Sequence, residues 1–135
     1  MAEKPLVDGL YEDSTSLIQR LDSQDFSPSF AVWYYYQDAQ DWRLLLGGQG
    51  IDGLLPKQEA LAYQKISESL SELELRSLSI SLVKVIRTQE ALPQAIKTVI
   101  GTASDSVGQA HFLHTTINGI FIEEMIVIRS AIGSA

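Results

Sequence analysis

Asn118-Gly119 stands between two apolar runs, Gln109–Ile117 and Ile120–Arg129. Both central residues of a type I′ turn need positive φ, which Asn-Gly supplies at least cost, so the pair predicts a β-hairpin of two long strands. With that turn Ile117 opposes Ile120, and counting outward sets His114 directly across from Glu123. On this reading Ile117, Ile120, Ile122, Ile126 and Ile128 share one side of the hairpin. Phe112, Phe121, Met125 and Val127 lie on the other, with His114, Thr116 and Glu123.

A second hairpin is predicted from Phe30–Tyr36 and Trp42–Leu46 around the polar turn Gln37–Asp41. Apart from Arg43 these strands carry no charge, so both of their faces must be at least partly covered. Helical spacing of apolar residues marks three helices, over Pro5–Leu21, Lys57–Leu73 and Glu90–Ile100, the first weakened by Gly9. Ser77–Thr88 reads as a central strand with Lys84 as its one charged side chain, and Gly47–Pro56 as a glycine-rich connection. The order is αββαβαββ. The expected fold is α+β, a single mixed, mostly antiparallel sheet of about five strands with three helices. A chain of 135 residues fits one domain spanning 1–135.

The aromatic hairpin Phe30–Leu46 with its Trp42-Arg43, the glycine-containing link, the Gln/Glu/Lys-containing helix and the strand Ile80–Thr88 before a short helix resemble small uncharacterised bacterial α+β proteins. The likeness covers about half of the chain. It implies no activity and carries over no functional residue.

Charge narrows the partners. Ten basic residues against 17 acidic ones give a net charge of -7, and no two basic residues are adjacent, so neither a nucleic-acid backbone nor an acidic membrane surface is an expected partner. There is no cysteine, which excludes disulfides, thiol nucleophiles and the common structural zinc sites. Met-Ala-Glu-Lys-Pro lacks a basic region followed by an apolar one, and no window approaches the ~18 apolar residues of a membrane span, so a cytoplasmic location is expected.

Three constellations carry chemistry. Gly48-Gln-Gly50-Ile-Asp-Gly53 matches the dinucleotide fingerprint G-x-G-x-x-G, whose glycines allow a tight turn and close approach of a pyrophosphate. Against it, Pro56 starts the helix after the third glycine, the preceding strand belongs to a hairpin, and no acidic residue ends the next strand. A plain connection is the simpler reading; a small-molecule or nucleotide site built from Arg43, Gly48, Gly50 and Gly53 is the alternative. His114 opposite Glu123 could form an acid–imidazole pair able to act as a general base. It lacks a nucleophile, a metal and an oxyanion hole, so a structural or interface pair is the better account. His111 and His114, three apart on a strand, point to opposite faces and cannot share an ion. Trp33, Tyr34, Tyr35, Tyr36 and Trp42 concentrate aromatic surface that suits a core or a protein interface.

The expected function is a non-enzymatic protein-interaction domain, an adaptor, chaperone-like factor or inhibitor, with no cofactor and no metal. Three helices can seat on one sheet face, which would leave Phe112, Phe121, Met125, Val127, His114 and Glu123 on a face to be covered by a second copy. A homodimer is therefore expected, with an unknown second protein as the other possible partner.

Overall fold

The computed structural model describes residues 9–75 and 77–132. Its elements are α1 (Leu10–Asp22), β1 (Phe30–Tyr36), β2 (Asp41–Gly47), the single-turn α2 (Gln49–Asp52), α3 (Glu59–Ser71), β3 (Val83–Val85), α4 (Ala91–Lys97), β4 (Ala110–Ile117) and β5 (Ile120–Ser130). The fold is α+β, with one mixed five-stranded sheet in the order β3-β2-β1-β5-β4. Strands β2 and β3 run parallel and every other neighbouring pair antiparallel. No described helix is long and apolar enough to cross a membrane.

Both hairpins form where the turn chemistry places them. Ile117 pairs with Ile120 across Asn118 and Gly119, whose φ values of 49° and 80° are the positive pair a type I′ turn requires. Tyr36 pairs with Asp41 in the aromatic hairpin.

Three local expectations are corrected. Gly9 does not weaken the first helix but starts it: at φ 91° its N–H donates to Glu12 Oε2 at 2.9 Å, and its carbonyl accepts from Asp13 N at 2.8 Å. The predicted start of that helix, Pro5–Asp8, lies outside the described residues. The glycine-rich link is not wholly irregular, since Gln49–Asp52 makes one helical turn within it.

The Ser77–Thr88 strand shrinks to Val83–Val85, after a 3₁₀ turn at Ile80–Leu82, and it forms an edge of the sheet instead of its centre. Its apolar character has another cause. Val83 and Val85 join the core beneath α3 while Ile86 joins the core on the opposite face, so even this edge is covered on both sides. Tyr63 of α3 also receives the Val85 N–H on its hydroxyl at 3.1 Å.

Helices cover both faces of the sheet. On one, Leu17, Ile18 and Leu21 of α1 and Ala62 and Ile66 of α3 pack on Trp33, Leu44, Leu46, Ile126 and Ile128. Trp33 is fully buried there, and its indole N–H donates to Ser14 Oγ of α1 at 3.0 Å. On the other face, Ala95 and Ile96 of α4 pack on Phe30, Val32, Leu45, Met125 and Val127. Full burial of Ile96 alone is worth about 1.5–3 kcal/mol, so a helix of two turns suffices to hold that position. The face expected to stay open is thus closed within the chain.

Two breaks in alternation explain the misassigned faces. Leu113 pairs with Glu124 and Thr115 with Ile122, which leaves His114 and Glu123 out of the ladder, with His114 at φ 47°. Ile117, Ile120 and Ile122 therefore share the α4 face with Met125 and Val127, whereas Ile126 and Ile128 lie on the α1/α3 face. The second break lies between Ala31 and Val32, which pair with Arg129 and Val127, so that Ile128 is an extra residue on β5. A bulge of this kind re-aims the side chain that follows it.

Candidate functional site

The side chain re-aimed by the bulge is Arg129, which is fully buried. It meets Asp22 at the end of α1 in a two-pronged contact, Nη1 to Oδ1 at 2.8 Å and Nη2 to Oδ2 at 2.9 Å. Its Nε donates to the Ser106 carbonyl at 2.8 Å and Nη1 to the Pro28 carbonyl at 2.9 Å. Burial pushes the Asp22 carboxyl up, but hydrogen bonds from Arg129 and Ser27 and the guanidinium charge outweigh it and hold the group below the usual carboxylate range. This network ties α1, the Ser27–Pro28 loop, the loop through Ser106 and β5 together.

The glycine link lies beside that network, and the first two glycines of its G-x-G-x-x-G match, Gly48 and Gly50, answer to the chain's own packing. A Cβ on Gly48 would stand 3.0 Å from Ser29 N and 3.1 Å from Ser27 O, and one on Gly50 would stand 2.9 Å from Cδ1 of Phe26. At Gly53 a Cβ would make only ordinary contacts. Asp52 accepts from Thr88 N at 2.9 Å and Thr88 Oγ1 at 2.5 Å, which fastens the link to the segment after β3. The hollow against Gly50, about 350 Å³, is lined by Asp22, Asp25, Ser27 and Gln49, so carboxylates stand where a phosphate would have to sit. Arg43 lies near the opposite end of β2, five strand residues or ~17 Å from Gly48. It is bound to Asp41 Oδ2 at 2.7 Å and to the Trp42 carbonyl at 2.8 Å. Arg43 and the three glycines do not converge on one site.

The terminal hairpin carries two imidazole–carboxylate contacts. His114 Nε2 lies 2.9 Å from Glu123 Oε2, as the turn-based register predicts, and the imidazole stacks near Phe121 at 6.4 Å between ring centroids. His111 Nε2 lies 2.7 Å from Glu124 Oε2, a contact that directly opposed pairing misses. His111 faces Ile126 in the ladder, and Glu124 is its diagonal neighbour, within reach of a long side chain. Both imidazoles are about half exposed while both carboxylates are largely covered. Among the described residues no three His, Asp or Glu side chains are grouped so as to hold a metal ion.

The other residues expected on an open face divide. Met125 is fully buried and Val127 nearly so, under α4, and Phe112 is partly buried against the same cluster. Phe121, by contrast, is 53% exposed, and Leu113 on β4 is 43% exposed. Leu113 escaped the sequence reading because strict alternation sets it on the opposite face from its neighbours Phe112 and His114, the face expected to seat the helices.

Phe121 borders a cleft that arises from unequal strand lengths. Strand β1 pairs with β5 only from Phe30 to Tyr34, opposite Ser130 to Met125, so Ile120–Glu124 of β5 run on with β4 alone. The gap between the end of β1 and this overhanging hairpin is about 230 Å³, lined by Tyr34, Tyr35, Tyr36, Asp38, Phe121 and Glu123. Tyr34 and Tyr36 meet edge to face at 4.9 Å between centroids, and burial, reinforced by the neighbouring Tyr36, pushes the Tyr34 phenol up.

Comparisons of the chain with protein-family models, curated proteins and solved structures find no match to any of them.

Proposed function

We propose that this chain is a non-enzymatic protein-binding module and that it pairs with a second copy of itself along the outer rim of β4. The observation that carries the reading is the character of that rim. Strand β4, Ala-His-Phe-Leu-His-Thr-Thr-Ile, is a sheet edge of eight residues with no Lys, Arg, Asp, Glu or Pro. Sheet edges are ordinarily guarded by such residues, by brevity, by bulges or by a covering element, and here the break at His114 interrupts the rim without charging it. The opposite rim is guarded by brevity and cover, since β3 has three residues and Tyr63 occupies its Val85 N–H.

A second copy suits the rim electrostatically. Each chain carries a net charge of -7, so self-association favours a rim with little exposed negative charge: β4 has no carboxylate of its own, and Glu123 and Glu124 beside it each contact an imidazole. The break at His114 limits the backbone ladder that two rims could share, which leaves Leu113 and Phe121 to provide most of the affinity. Each is already about half covered in the single chain, so covering the remainder contributes about half of the ~1.5–3 kcal/mol of a full burial, before the cost of association.

Light scattering on the intact protein tests the reading. The expected mass is twice 14.9 kDa, falling to 14.9 kDa in both Leu113→Lys and Phe121→Glu with an unchanged circular dichroism spectrum. A parent protein of 14.9 kDa at submillimolar concentration would overturn it.

A further inference from the structure

We infer that the cleft between the end of β1 and the overhanging part of β5 is a binding site for a primary alkylammonium group. The cleft shares Phe121 with the proposed contact along β4, so binding is to be read in a variant that lacks that contact as well as in the parent.

The lining has the two components that an organic cation requires. Tyr34, Tyr36 and Phe121 supply aromatic rings, whose negative faces attract cations. Asp38, at the turn of the aromatic hairpin, and Glu123, on β5, supply carboxylates, and no Lys or Arg lines the cleft. The contact of Glu123 with His114 uses one oxygen, and an ionised carboxylate has about four acceptor sites.

The chain itself demonstrates the chemistry next door. Lys84 Nζ lies 5.3 Å from the centroid of Tyr36 and 3.5 Å from its hydroxyl, in the adjoining cleft that Tyr36, Asp41 and Arg43 line. A Tyr36 ring that already holds one ammonium group, with acidic side chains around it, forms the wall between the two clefts.

Size selects the ligand class. At about 230 Å³ the cleft falls below the ~300–1,000 Å³ of sites that enclose nucleotides or drug-sized molecules, so it takes a group the size of one side chain. Carboxylates reward N–H donors, which favours a primary ammonium over a quaternary one.

The test is an NMR titration of the intact protein with n-butylammonium, tetramethylammonium and butan-1-ol at fixed ionic strength, following the ring signals of Tyr34, Tyr36 and Phe121. Carrying it out in Leu113→Lys as well as the parent keeps the β4 rim out of the result. Saturable shifts are expected with butylammonium, weaker ones with tetramethylammonium and none with butanol. Asp38→Asn, at an exposed turn position, should weaken butylammonium about three- to fivefold. Three results would each overturn the assignment: no saturable shift, butanol as effective as butylammonium, or tetramethylammonium binding equally well with Asp38→Asn without effect.

Discussion

The Asp22–Arg129 pair predicts a large and pH-dependent loss of stability in Asp22→Asn. Asp22 is the last residue of α1, where the helix dipole disfavours a carboxylate, so its place there depends on the guanidinium it meets. Arg129 is fully buried and cannot shed its proton, so removal of the Asp22 charge leaves it uncompensated. Breaking a buried pair on one side costs about 3–5 kcal/mol. Asp22 is a quarter exposed, and the Pro28 and Ser106 carbonyls still accept from Arg129, so ~2–4 kcal/mol is expected here. Arg129→Met should cost less than that sum of effects implies when combined with Asp22→Asn, because the double variant has no buried charge to strand.

The pH dependence has a definite sign. Because the folded Asp22 lies below its ordinary value, its contribution is complete above the unfolded pKa of about 3.9 and is lost as pH falls through the lower folded value. Urea unfolding curves at pH 7 and at steps down into that acid range would measure both effects. The parent should lose stability through the window, and Asp22→Asn should lose less. A variant within ~0.5 kcal/mol of the parent at pH 7, or one with the parent's slope in acid, would refute the reasoning.

Two further substitutions probe the backbone. Gly50→Val places a Cβ 2.9 Å from Phe26 and should cost about 1–3 kcal/mol by overpacking, with no NAD or FAD binding by calorimetry in the parent; a neutral Gly50→Val would contradict the packing account. His114 holds φ 47°, so His114→Val should destabilise the hairpin by roughly 1–2 kcal/mol more than His114→Asn, since Asn tolerates that conformation and a β-branched residue does not; equal thermal shifts would contradict it.

Short-range chemistry was the legible part of this fold. Asn118-Gly119 fixed the register of the terminal hairpin and therefore the His114–Glu123 contact, and the Phe30–Leu46 hairpin, with Arg43 as the one charge in its predicted strands, was rightly read as covered on both faces. What stayed hidden depends on the phase of the side chains over longer distances. Since the strand period is two residues, a single extra residue transfers every later side chain to the other face. Nothing local in Leu113-His114 or Ile128-Arg129 marks such a break. The Arg129 network escaped for that reason, although a carboxylate at the end of an amphipathic helix was a sign that Asp22 needs a cation. Ser77–Thr88 misled because an apolar run records coverage and does not distinguish a strand from the turn leading into it.

The same phase breaks decide where the molecule can meet a partner. Had alternation run unbroken, Met125 and Val127 would have shared a face with the exposed Phe121, and a sheet-face interface would have followed. With the break at His114, they turn under α4 while Phe121 and Glu123 turn toward the aromatic end of β1. Apolar surface that an unbroken strand would spread along one face is thereby gathered at the outer end of the hairpin. Two of the four exposed large hydrophobic residues among those described, Leu113 and Phe121, lie on this hairpin, beside the uncharged rim and the acidic aromatic cleft. The features that could bind something therefore share one segment of chain, and a substitution that restores regular alternation at His114 should disturb rim, cleft and the α4 core together, because Ile117 and Ile122 share that core with Met125 and Val127 only across the break.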